Sequence, residues 1–475
     1  MPRSNLLVTK VPNPAGERAA PFRNLISCVE SRGAFRAILG ISPLVVLAKV
    51  ASIGKAMFVA RLFGSGSTLD AFYIALLLCS GTINIFGGSI GASLIPVYLE
   101  VKHHGGREAA KRLFGSIFAL TTLLFVAFGI VLVLFSAPLI TVLGSGFDAA
   151  TRLLTSRLFL VLAPSIILTG IPLTWIAILN AESHFAVPSS VRAVSPAVCI
   201  AILYLWPKES GIYSLAAGTL LGAMTEFVIL AYALRQQGFS LIPRWYGFDA
   251  DVRRVLRQFT PGITCSVWSS GAGIVDQSMA AALPSGSVAS LNYGCSIVGT
   301  VLGVIGEALG TTMLPAFSHL VAQRTWADVR RLLRNYVWLA FVTGTGAMLV
   351  LIALSHRLTA LLYQRGAFSA ANADLVGKIQ IVFALQIPAS LVSVIVLRLL
   401  AAMQRTWVRS IGGIGNLVLD VGLNYWFIRS MGVAGIALST SLVVTISTIY
   451  LGFALRRELR LAERVSPRVA EVASA

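Results

Sequence analysis

Charge is scarce in this sequence. Only 12% of its 475 residues are Asp, Glu, Lys or Arg, about half the roughly 25% usual in a water-soluble domain. Hydrophobic residues make up 56%, so an ordinary soluble fold is excluded and an all-α polytopic membrane protein is expected. Cysteine is also sparse. Four of the five (Cys79, Cys199, Cys265, Cys295) fall in apolar stretches and the fifth, Cys28, precedes them, with no paired spacing; this excludes an extracellular disulfide framework. Long polar connections are missing too: none exceeds about 25 residues, so no soluble catalytic domain hangs from either face. The polar, basic first 36 residues lead into an apolar segment too long for a signal-peptide core and without a clear cleavage site, so no removed signal peptide is expected.

What is present is a succession of apolar segments. A window of about 19 residues finds them near 37–60, 70–99, 113–136, 155–180, 186–206, 212–234, 257–281, 288–318, 334–354, 376–402, 407–428 and 432–455. Each is near the roughly 20 residues that a bilayer requires, and an even number of spans puts both termini on one side. Of the 38 Lys and Arg, 28 sort to that side, seven to the other, and three (Lys49, Lys55, Arg157) within spans. Positive charge collects in the cytoplasm, so both termini are expected there, in a cytoplasmic (inner) membrane. The net charge of +19 then reports orientation, and no nucleic-acid partner is expected.

The chain also repeats itself. GASLIPVYLEVKHHGGREAAKRLF (91–114) aligns without a gap on GTTMLPAFSHLVAQRTWADVRRLL (310–333), matching Pro96 with Pro315 and Lys111-Arg112 with Arg330-Arg331. Phe147 with Phe368 and Phe185 with Trp407 continue the register. Six spans separate equivalent positions, so both halves share one orientation and are related by an axis along the membrane normal, with a cavity between them. The expected organisation is a cytoplasmic leader (1–36), a first lobe of spans 1–6 (37–236), a cytoplasmic linker (237–256), a second lobe of spans 7–12 (257–456) and a cytoplasmic tail (457–475).

Charge at the bilayer centre costs on the order of 3 kcal/mol, so such residues usually serve a cavity. Lys49 and Lys55 in span 1 are six residues apart, about 120° net around a helix, and can border one wide face suited to a diphosphate; Lys55 can equally snorkel outward. Arg157 lies near a helix start and reads as snorkelling. Glu226 and Glu307 pair with the lysines or carry a proton. Asn416 and Asp420 stack at i, i+4 on span 11, and with Asp276 of span 7 and Thr440 of span 12 supply hard oxygen ligands for a small cation. The alternative is a hydrogen-bonded cluster that holds the lobe together.

Several runs carry a family resemblance: VARLFGSGSTLDAFYIA (59–75) followed by IPVYLE, LPSGSVASLNYG (283–294) with LGTTMLPAFS (309–318), and LLYQRGAFSAANADL (361–375). Ordered along residues 45–455, they resemble the peptidoglycan lipid II flippases of the MOP exporter superfamily. That resemblance implies about 12 transmembrane helices in two six-helix lobes around a central cavity, and a flippase rather than an enzyme. The implied cargo is an undecaprenyl-diphosphate-linked saccharide, either lipid II or an exopolysaccharide unit, moved outward by alternating access. By the same resemblance Lys49 and Lys55 stand where the family has cavity arginines, keeping charge but losing the guanidinium fork. Asp70 matches an acidic residue after the glycine-rich first loop, and Glu307 is taken with Lys49, Lys55 and Asp70 as substrate-binding. Asp276, Asn416, Asp420, Ile436 (through its carbonyl) and Thr440 match a Na⁺ site.

Departures accompany the likeness. The family's span 2 arginine pair aligns near Ile83 and Asn84 and its span 8 arginine with Ser296, and spans 1–12 are expected without the two further helices that the family typically has. The expected partners are a lipid-linked saccharide, membrane lipids and glycan-synthesis enzymes around a monomer, with no cofactor beyond Na⁺ as coupling ion. Other readings are a scaffold of a polysaccharide-synthesis complex, or a multidrug/cation antiporter, against which the span 1 lysines argue. A membrane glycosyltransferase would need an external loop or a diphosphate-binding Asp motif that the sequence lacks.

Overall fold

The computed structural model describes residues 32–206, 211–403, 405 and 407–474. Most of the leader, Cys28 and Lys208 lie outside them. The described chain is helix throughout its regular structure. Helix α1 (Arg32–Phe63) carries span 1. Helix α2 (Ser67–Leu134) carries spans 2 and 3, interrupted at Gly106, whose φ of +76° suits glycine. After the short α3 (Ser136–Leu143), span 4 is built in three pieces: α4 (Ala149–Leu162), α5 (Pro164–Gly170) and α6 (Pro172–Ala181). Proline cannot donate to the preceding turn, so each break falls just before one. Helices α7 (Ala186–Leu205) and α8 (Ile212–Gln236) complete the first half.

The second half runs through α9 (Ala250–Ala281), α10 (Ser287–Ala322) and α11 (Trp326–Tyr363). Helices α12 (Ala370–Ala384) and α13 (Ile387–Ala402) share span 10 and meet at a 41° bend. Helices α14 (Trp407–Met431) and α15 (Val433–Ser474) close the chain, so most of the expected tail continues the last helix. Every expected span falls on helix. By length and composition eight helices can cross a membrane, nine when α12 and α13 count as one bent span. The number falls below twelve because α2 holds two expected spans in one element and α1 and α9 are not among the qualifying helices; Ser, Gly, Asp276 and Gln277 dilute the apolar run of α9.

Packing follows the repeat. Helices α1, α7 and α8 form one side of the first lobe while α2 packs on α4, α5 and α6; in the second lobe α10 to α13 pack together and α14 pairs with α15. Helix α9 lies between, against α2 and α14. A Cβ on its Gly262 would meet Ser89 Oγ of α2 at 2.7 Å, so close approach demands glycine there. Large apolar side chains such as Leu123, Leu134, Val228 and Phe453 face outward, as a lipid-facing surface requires.

At one end the lobes interlock symmetrically. Gly146 of the α3–α4 loop lies against the backbone of Ala281, and Gly366 of the α11–α12 loop lies against the carbonyl of Arg61, with both partners displaced by the repeat offset. Ala367 N–H donates to that Arg61 carbonyl at 2.9 Å, and Gly366 has φ +63°. At the other end, expected to be cytoplasmic, Lys102 donates to both oxygens of Glu182 at 2.8 Å and Tyr98 O–H to Oε1 at 2.6 Å. Burial pushes the Glu182 carboxyl up, but the Lys102 ammonium and Tyr98 hydroxyl outweigh it and hold the group below its ordinary range.

Candidate functional site

The second lobe encloses a cavity of about 510 Å³ lined by α9, α10, α12 to α15. Its polar residues gather where α9, α14 and α15 meet. Asp276 and Asp420 are 7% and 1% exposed, and both line this cavity with neighbouring carboxyl groups. Asn424 Nδ2 donates to Asp276 Oδ1 at 2.7 Å. The single Thr440 hydroxyl proton serves either Asp276 Oδ2 or the Ile436 carbonyl, each 3.0 Å away. Ser439 Oγ lies 3.2 Å from the Asp420 carbonyl. Asn416 lines the same cavity but turns its Nδ2 to Ser447 Oγ at 2.9 Å, leaving its amide oxygen as the donor to any ligand.

Thus Asp276, Asp420, Thr440 and the Ile436 carbonyl come together, with Asn416 on the cavity wall. The sequence alone does not single out Asn424 and Ser439. Asn424 had a signal: it stands four residues after Asp420 and eight after Asn416, on the same helical face. Asp420 Oδ2 and Asn424 Oδ1 are buried without a hydrogen-bond partner among the described residues. Two adjoining carboxyl groups either share one proton or hold a cation between them. Carboxylate, amide, hydroxyl and carbonyl oxygens are hard donors, so these residues fit a small hard cation. Among the described residues no three Asp, Glu, His or Cys converge, unlike the dense anionic shell of a multivalent-metal site.

The two span 1 lysines go to different neighbours. Lys49 reaches from α1 to α10, where its Nζ lies 2.9 Å from the place a Cβ on Gly303 would take; the glycine makes room for the ammonium. Glu307 follows Gly303 by one turn on the same face of α10. Lys55 and Arg192 are the basic groups nearest in charge to Glu226, which meets the Ser195 backbone, and the four residues lie on α1, α7 and α8 of the first lobe. Arg157 is exposed on α4.

Asp70 is placed at the lobe junction and not in a cavity. It is 2% exposed, and its Oδ2 and Oδ1 accept N–H groups from Gly286 at 2.6 Å and Ala289 at 2.8 Å. A carboxylate from the first lobe therefore caps the N-terminus of α10 in the second, where unpaired amides and the helix dipole favour negative charge. Ser65 and Ser290 hydroxyls meet beside it at 3.1 Å, and Tyr293 O–H donates to the Gly64 carbonyl at 3.3 Å.

Comparison with known proteins agrees with this architecture. The lipid II flippase MurJ of Burkholderia cenocepacia is 23% identical over 436 residues, covering 89% of this chain and 84% of the relative. A probable lipid II flippase MurJ of Vibrio cholerae is 25% identical over 468 residues, covering 92% and 86%. Among solved structures, a lipid II flippase MurJ in an inward closed conformation superposes with TM-score 0.77 at 22% identity, over 91% of each chain. An inward-facing multidrug resistance MATE family transporter of the MOP superfamily gives 0.70 at 14% identity, over 90% of this chain and 96% of the other. These two likenesses show the fold, an integral-membrane helical bundle of the MOP type. The curated relatives are named as flippases, transporters rather than enzymes. The family profile described as lipid II flippase MurJ matches residues 59–469, and the chain belongs to that family.

Proposed function

We propose that this protein moves an undecaprenyl-diphosphate-linked saccharide from the inner to the outer leaflet of the cytoplasmic membrane by alternating access, with both termini in the cytoplasm. The observation that carries the reading is family membership across residues 59–469. The two-lobed bundle and its interlocked end support it: a transporter alternates by opening one end while closing the other, and here Asp70 and the Arg61–Ala367 contact hold the end opposite the termini. Lys49, at the junction of α1 and α10, is the cationic group that meets the diphosphate. Lys55 balances Glu226 within the first lobe and sets the field around that path.

We further propose that Na⁺ binds among Asp276, Asn416, Asp420 and Thr440 with the Ile436 carbonyl, and couples its gradient to the lobe motion. Bound there, it would supply the positive charge that lets both carboxylates ionise. Asn424 orients Asp276, and Ser439 orients Asp420. The test is reconstitution in proteoliposomes with lipid II and, separately, an exopolysaccharide-type lipid-linked saccharide, each with and without an imposed Na⁺ gradient. Gradient-stimulated outward movement of either cargo supports the proposal; movement of neither, at any gradient, overturns it.

A further inference from the structure

Outside the lobe interface, helices α11, α13 and α15 enclose an apolar groove of about 1310 Å³ on the second lobe. It shares only Thr448 with the cavity that holds Asp276. Its walls are side chains such as Phe341, Met348 and Val392, and at one end Arg330, Arg331 and Arg334 of α11 converge with Arg456 of α15. Arg330 pairs with Glu463 at 2.9 Å. Arg331, Arg334 and Arg456 are exposed and have no acidic partner among the described residues.

We infer that this groove is a binding site for a diacyl phospholipid with an anionic headgroup. Charge complementarity selects the occupant. An apolar trough alone would accept any lipid, but guanidinium groups from two helices at one end form the planar forks that match phosphate oxygens. They lie at the end of the bundle that carries the excess of Lys and Arg, where a headgroup of the same leaflet would sit. Dimension selects the tail. From Arg334 to Met348 is about 21 Å at 1.5 Å per residue, somewhat more than the roughly 15 Å depth of one leaflet, and Leu385 at the α12–α13 bend also lines the groove. A leaflet-long pair of acyl chains fits that reach better than a polyprenyl chain long enough to cross the bilayer. Gly452 lines the groove with nothing within 4 Å of its missing Cβ, so the trough is open there.

Native mass spectrometry of the full-length protein, released from detergent after adding phosphatidylglycerol, phosphatidylethanolamine or undecaprenyl phosphate, tests this. Phosphatidylglycerol is expected to bind at least about tenfold more tightly than phosphatidylethanolamine, which has the same phosphate but adds an ammonium that the converging guanidinium groups repel. That preference should disappear in the Arg331→Gln, Arg334→Gln, Arg456→Gln triple variant. Gly452→Phe, placed where there is room for a side chain, should weaken phosphatidylglycerol binding with every arginine kept. Equal binding of the two diacyl lipids by the wild type, needing no variant, overturns the inference. So does tighter binding of undecaprenyl phosphate than of phosphatidylglycerol, or unchanged phosphatidylglycerol binding in either variant.

Discussion

The Asp70 carboxylate of α2 accepts the Gly286 amide N–H at 2.6 Å across the lobe boundary. A second bond from Ala289 at 2.8 Å makes Asp70 the cap of a helix to which it is not connected in sequence. A hydrogen bond to a charged group contributes about 1.5–3 kcal/mol, and the cap exists only while the lobes are together. In the proposed alternating-access cycle, opening this end would break it, and Asp70 would bias the equilibrium between the two states.

Replacing Asp70 with Ala should therefore favour opening. With spin labels at Ser145 and Gln364, in the loops flanking the junction, the fraction of long distances should rise about tenfold or more, the equivalent of one such bond. Unchanged distance distributions would remove Asp70 from the closing mechanism.

Gly366 tests the symmetric contact. Its φ of +63° and its approach to the Arg61 carbonyl leave no room for a side chain. Gly366→Ala should cost about 1–2 kcal/mol from backbone conformation alone, together with the contact, and be read as a lower Tm and a larger open fraction. The equivalent change at Gly146, against Ala281, should act in the same direction.

The cation cluster predicts ligand-linked stability. Na⁺ at about 100 times its Kd should stabilise the wild type by roughly 2.7 kcal/mol, seen as a rise in Tm absent in K⁺. Asp420→Asn and Asp276→Asn should abolish the rise, and Asn424→Ala should weaken it, since Asn424 holds Asp276 at 2.7 Å. A hydrogen-bonded cluster with no cation would give the same Tm in both salts.

The Glu182–Lys102 contact predicts a pH dependence. The folded Glu182 carboxyl is held below its ordinary value of 4.5, so its stabilisation is present above that value and lost as pH falls through the depressed one. Glu182→Gln should lower stability by about 1 kcal/mol at pH 7, as for a partly exposed pair, and the gap from wild type should shrink below about pH 4. Thermal unfolding at pH 7 and pH 3.5 measures it; a gap independent of pH would contradict the assignment.

Much of the fold was legible in the sequence because hydropathy and proline carry it. Every apolar run falls on helix, with only the short α3 lying between runs, and the offset between Pro96 and Pro315 announced the lobe symmetry that Gly146 and Gly366 display in space. The carboxylate cluster was legible as a helical face through Asn416 and Asp420. Asn424 lies on that face too, but a face does not say which neighbour it meets. The same limit hid the destinations of Asp70 and Lys55. Spacing gives an angle around one helix, whereas Asp70 finds Gly286 and Lys55 comes near Glu226 only through packing between helices.

The proposed activity is outward movement of a lipid-linked saccharide through a path containing Lys49 and driven from the Asp420 cluster. Its most direct measurement is translocation of a fluorescent undecaprenyl-diphosphate saccharide in proteoliposomes by the wild type, Lys49→Ala and Asp420→Ala. The account predicts transport by the wild type and a loss of about tenfold or more in each variant, the consequence of removing one charged contact. Variants that translocate at the wild-type rate, or a wild type that moves no lipid-linked saccharide, would contradict it.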